Sequence, residues 1–247
     1  MGSPTERHLP PGYQEFARYA FPPNELGYCG PADTEALLRG GDSLELVARA
    51  KEFDGAWPYL DAIADAVGLP DPLTAEVVRN YWIGGPLLQA VDPVALLSRL
   101  RTSFAGQVTG LLDALEPGQA LAHHSFHVFV VYPWIRFLDR NPTKPVQVMQ
   151  DCRIRWGTVQ SVEGDHAVID SRPLVFVGGA LGLGAPIPER VRWRKDGTSL
   201  APAPVPGQTV SAHWGWVCGL LEDGEGDACA AATQASLDIV NAVRSRL

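Results

Sequence analysis

The chain has 247 residues, 46% hydrophobic and 19% charged, a globular composition with enough apolar material for one large domain or two ordinary ones. A net charge of -8 and a pI near 5.2 argue against a nucleic-acid or anionic-membrane partner, since both require a basic surface. No run of 18 apolar residues occurs and the opening MGSPTERHLPPG lacks the layout of a secretory leader, so a cytoplasmic protein is expected.

From Gly12 to about Leu115 the periodicity is helical. EFARYAF, PADTEALLRG, DSLELVARAKEF, PYLDAIADAVG, TAEVVRNYWI and DPVALLSRLRTSFAGQVTGLLDAL all space apolar residues three and four apart. Ser43, Thr74 and Asp92 stand where N-caps belong, and Pro31 and Pro93 suit first-turn positions. Trp57, Tyr81, Trp82 and Trp134 sit beside prolines or glycines, as aromatic residues that pack a core. The stretch 119–140, QALAHHSFHVFVVYPWIRFLDR, reads either as a strand at VFVV or, from its length, as a buried helix ended or kinked by Pro133; the helix is preferred. NPTKP at 141–145 resembles a linker, and the domain boundary is set there: an α-helical domain at 1–145, a second domain at 146–247.

Beyond it the period falls to two. RIRWGTVQSV, HAVID, LVFVG, RVRWR and TVSAHWGWVCGLL are strand candidates punctuated by EGD, GG, KDG and PG turns, and DACAAATQASLDIVNAVRSRL reads as a closing helix. The expected class is therefore α+β: an all-α domain, then a small antiparallel, OB-like β-barrel with a C-terminal helix.

Cys29, Cys152, Cys218 and Cys229 form no CxxC pair, which removes the usual structural-zinc and thioredoxin readings and leaves single thiols. Cys29, in the turn GYCGP, suits an exposed or capping role and could also supply a thiolate. His123, His124 and His127 put half of the six histidines within five residues. On a helix, His123 and His127 share a face at i and i+4, a spacing at which two imidazoles can meet one metal. The glutamate of HExxH is absent, which argues against a zinc hydrolase, and histidines hydrogen-bonded in an apolar segment are the plainer reading. GALGLGAP lacks the lysine and the following helix of a P-loop, so no nucleotide is expected and its glycines are assigned to turns.

The second domain resembles the HypC/HupF/HoxL family of small chaperones of [NiFe]-hydrogenase assembly. The resemblance rests on Cys152-Arg-Ile-Arg-Trp-Gly-Thr-Val-Gln-Ser-Val heading a strand, on Glu-Gly-Asp-His-Ala-Val-Ile-Asp ending at Asp170, and on Pro206-Gly-Gln-Thr-Val-Ser-Ala-His213-Trp-Gly-Trp-Val. LEDGEGDA and a terminal helix follow, so that about 152–247 is covered. The whole chain is also similar to an uncharacterised actinobacterial family found near hydrogenase genes. The resemblance implies that Cys152 binds iron as an Fe(CO)(CN)2 fragment with His213 close by, a role for which a soft thiolate and an imidazole are suitable. It implies as partners the hydrogenase large subunit or other maturation proteins. Three functions follow: a metallochaperone, a metal-dependent enzyme of the same pathway using HHSFH, or an assembly scaffold without chemistry.

Overall fold

The computed structural model describes residues 10–38 and 42–247. The opening up to residue 9, read above as lacking a leader's layout, and the Arg-Gly end of PADTEALLRG lie outside the described residues.

Helices occupy the chain up to Cys152: α1 Pro11–Glu25, α2 Ser43–Lys51, α3 Trp57–Ala66, α4 Ala75–Ile83 and α5 Pro93–Ser103. Thr74 and Asp92 cap α4 and α5, their side chains accepting from the backbone N–H of Val77 and Val94. Asp42, not Ser43, caps α2, because its carboxylate accepts from Glu45 N–H and Ser43 is already helical. Pro93 opens α5 as expected, whereas Pro31 lies in the loop before a 3-10 turn at Thr34–Leu38. The ambiguous stretch is helical and buried: α6 His124–Phe126 runs into a π-helical turn at His127–Val131, and a 3-10 turn begins at Pro133.

The linker-like NPTKP is instead where the next helix starts, α7 Thr143–Cys152. Proline is tolerated in a helix's first turn, where its missing N–H has no partner to lose. Cys152 is thus the last residue of a helix and not the head of a strand, which begins at Arg155.

The strands are β1 Arg155–Glu163, β2 His166–Ser171, β3 Leu174–Val177, β4 Ala180–Leu183, β5 Ile187–Arg192, β6 Thr209–His213 and β7 Trp216–Leu220, followed by α8 Glu225–Arg244. β1, β2, β5, β7 and β6 are paired in that order and β6 returns to β1. All these pairings are antiparallel except β5–β7, a single parallel pair at Arg192 and Trp216. β3 and β4 form a separate two-stranded sheet. β4 lies in the glycine-rich stretch GALGLGAP assigned to turns, while the GG signal before the strand, Gly178 and Gly179, does make a turn, at φ 60° and 84°.

Val159, Ala167, Ile169, Val191, Val210, Ala212 and Val217 form a small core inside the five-stranded sheet. The larger core runs from Tyr13 through the helices to Cys152, Trp214, Trp216 and α8, so buried side chains are continuous across the expected boundary. Arg79 on α4 pins three elements at once, binding Glu15 of α1, Glu225 of α8 and the Leu220 carbonyl at the end of β7. The mixed α+β architecture therefore holds α6, the end of α7 and the β6–β7 turn against one another.

Candidate metal centre

Three buried side chains meet where these elements converge. One ligand atom each of His124, Cys152 and His213 lies within 4.8 Å of the others. His124 comes from α6, Cys152 from the last turn of α7 and His213 from the end of β6. The structure thus places Cys152 and His213 together, as the resemblance implied, and of the three clustered histidines it is His124 that joins them.

His213 is 1% exposed, and its Nδ1 lies 2.7 Å from the Tyr19 carbonyl, to which it donates. That bond fixes the tautomer and leaves the Nε2 lone pair, which is buried and has no partner. A histidine whose far nitrogen is anchored to a carbonyl while the near one is unused has the arrangement of a metal ligand. Burial lowers the pKa of His213 well below its ordinary value and that of His124 to about 4, keeping both rings neutral.

His124 can use either nitrogen. Its Nε2 lies 2.9 Å from the Cys152 carbonyl and 4.0 Å from the Cys152 sulfur, and its Nδ1 lies 3.1 Å from the Tyr81 hydroxyl. Tyr81 also reaches the Gly55 carbonyl at 3.3 Å. With the proton on Nε2, the ring donates to Cys152 and accepts from Tyr81. With the proton on Nδ1, it donates to Tyr81, whose hydroxyl donates in turn to the Gly55 carbonyl, and the Nε2 lone pair faces the sulfur.

The Cys152 thiol is held protonated by burial, with the neighbouring Cys29 acting in the same direction. The Trp214 indole N–H, directed at the sulfur, and the Arg155 charge oppose this. Arg155, 1% exposed, donates to the carbonyls of Gln150, Asp151 and Trp214 and pairs with Glu189. It therefore satisfies the C-terminal carbonyls of α7 and ties them to the turn beside His213. Trp214 occupies a left-handed conformation at φ 51°, uncommon for a bulky residue, and its backbone N–H donates to the Asp151 carbonyl at 2.7 Å. The strain is held by the same clamp.

A cavity of about 380 Å³ opens over the cluster, with Tyr81, Trp82, His127 and Tyr132 in its wall and, among the described residues, no lysine or arginine. Glu52 and Asp54 lie at its exposed edge, which favours a cation over an anion. Thiolate and imidazole donors suit zinc, copper, cobalt or low-spin iron, and in a tetrahedral site sulfur and nitrogen ligands stand roughly 3.5 Å apart. The observed 4.0 Å between sulfur and His124 Nε2 is close to that, so the residues fit a metal ion.

Two expected ligands take other places. His123 precedes the helix as the N-cap residue of α6, its Nδ1 accepting from Ser125 N–H, and it does not line the cavity. Because its backbone is extended, the i, i+4 rule never applies to it and His127. His127 lines the cavity outside the three-residue group, 3.3 Å from the Tyr59 hydroxyl. Tyr81 and Trp82, read as core packing, are buried and also wall the cavity.

A family model described as "Family of unknown function (DUF6390)" matches residues 8–247. The chain belongs to the DUF6390 family. No curated protein and no solved structure matches it. In this DUF6390 chain Cys218 and Cys229 are buried, and neither is in the three-residue cluster or the cavity wall. No helix of the described residues is long and apolar enough to cross a membrane.

Proposed function

We propose that this protein binds a transition-metal ion through His124, Cys152 and His213 and acts as a non-catalytic metallochaperone. Its cargo, on this reading, is the iron fragment of a [NiFe]-hydrogenase, delivered in the cytoplasm to the immature large subunit or another maturation protein. The observation that carries the metal site is the buried, unpartnered Nε2 of His213, held by its Nδ1 bond toward a thiol and a second imidazole. What favours iron with diatomic ligands is the resemblance of the Cys152 to His213 segment to the HypC family, together with the softness of a thiolate. In that family the cysteine is N-terminal, whereas Cys152 follows 151 residues, so a role for a free amine beside it is not transferred.

When bound, the metal would supply open positions for small ligands. The chain's own part is to hold three donors in place, to keep both imidazoles neutral, and to surround the site with a cavity of aromatic walls. A second reading draws on that cavity: three protein ligands beside an open space also describe a catalytic metal site, with His127 and Tyr132 at hand for proton transfer.

Metal analysis with infrared spectroscopy of anaerobically purified protein separates the readings. Iron with bands of bound CO and CN supports the carrier, a redox metal without them supports the enzyme, and no metal supports a scaffold. In cells, Cys152→Ser should abolish hydrogenase maturation at normal protein abundance, because serine retains the shape and offers no soft donor. Fully active hydrogenase in that strain would sink the carrier reading.

A further inference from the structure

Cys29 lines the same cavity as the three-residue cluster and has no part in it so far. It stands in the turn after α1, half-buried, between Gly27 and Gly30 at φ 73° and 84°. The turn is fastened from below: the Asn24 side-chain amide donates to the carbonyls of Cys29 and Pro31, each at 2.7 Å. It is also fastened to the cluster's own strand, since the ring of Tyr28 lies 4.1 Å from that of Trp214, the residue after His213. Cys29 is thus carried by a turn that rests on the element supplying a ligand. The cluster beneath offers three donors, one of them the unpartnered Nε2 of His213.

We infer that Cys29 supplies a fourth, displaceable ligand from the cavity side, converting the site to a Cys2His2 set around a divalent ion. This rests on the metal site proposed above and assigns its remaining position. Cys29 lies outside the group of atoms that are mutually within 4.8 Å, so its thiol swings inward to coordinate while the Asn24 bonds and the Tyr28–Trp214 contact hold the turn over the cluster. On coordination one metal–sulfur bond forms and the thiol proton goes to solvent; on displacement by a ligand in the cavity that bond breaks and the thiolate takes a proton back. Three buried donors then retain the ion while the fourth position opens and closes.

The test uses Co(II) as probe, added to the full apo chain under anaerobic conditions. Bound thiolates give sulfur-to-cobalt charge-transfer absorption, and X-ray absorption at the cobalt edge counts sulfur neighbours. The expected result is one Co(II) per chain with two sulfur neighbours, the charge-transfer intensity falling to roughly half in Cys29→Ser with Co(II) still bound. One sulfur neighbour in the unaltered chain, or unchanged intensity in Cys29→Ser, overturns the assignment of Cys29 and leaves the three-residue site standing. An unaltered chain that takes up no Co(II) overturns both. The sulfur count on the unaltered chain needs no variant to fold.

Discussion

Acidification should unfold the metal-free protein in a steep transition centred near pH 5, driven by its buried histidines. Burial lowers the pKa of His123 and His127 to about 3 and that of His124 to about 4, and it holds His213 well below its ordinary value. On unfolding each recovers the ordinary imidazole pKa of about 6.5. Because the depressed group is a base, the unfolded chain binds the extra proton. Stability is therefore complete above pH 6.5 and is lost as the pH falls from there toward the folded value. Each histidine contributes a slope of about 1.4 kcal/mol per pH unit, and at pH 5 each has withdrawn about 2 kcal/mol. Four together withdraw about 8 kcal/mol, within the 5–15 kcal/mol that ordinarily holds a domain folded. Urea denaturation followed by tryptophan fluorescence between pH 7.5 and 5 measures this directly, as the slope of unfolding free energy against pH. A slope approaching four protons between pH 6 and 5 is expected. A stability unchanged from pH 7 to 5, or a slope of a single proton, would refute the reasoning that these rings are folded neutral.

Arg155→Met should lower the melting temperature by about 10 °C, the loss of a buried, paired charge being worth about 3–5 kcal/mol at roughly 2–4 °C per kcal/mol. It should also weaken Co(II) binding, since the clamp between α7 and the turn beside His213 is gone; calorimetry and metal titration check the two effects. Gly55→Ala should destabilise by about 1–3 kcal/mol, because its Cβ would come 2.8 Å from His127 Nε2 and the ring is confined by Tyr59, Phe104 and Tyr132. Cobalt stoichiometry in that variant should stay at one per chain. Cys218→Ser and Cys229→Ser should change denaturation midpoints alone, leaving metal content and hydrogenase maturation as they were.

Much of the secondary structure was legible in the sequence, because helices with polar caps and strands between glycine turns announce themselves locally. The misread positions each had a local signal with two meanings. The prolines of NPTKP read as a linker, yet Pro142 and Pro145 are compatible with the start of α7. Among the clustered histidines, a regular helix would pair His123 with His127. The helix starts one residue later, however, and turns π at His127, so it is His124 that faces Cys152. Tyr81 and Trp82 were identifiable as core residues, but nothing local distinguishes a wall of the core from a wall of the cavity. Cys29 was legible as a turn cysteine able to supply a thiolate, but its place in the same cavity as Cys152 is tertiary.

The three donors lie 28 residues apart, from His124 to Cys152, and then 61 apart, from Cys152 to His213. During synthesis no ribosome-bound intermediate shorter than 213 residues contains the complete set. Loading of the proposed site would therefore follow translation of His213 and the docking of β6 on the helices. Once an ion is bound, it cross-links a loop of about 90 residues, and any opening that separates α6 from β6 must first break coordination. If the chain carries an ion as proposed, its release and the loosening of the fold would be a single coupled equilibrium, and a partner that pried α6 from β6 would unload it without touching the ion.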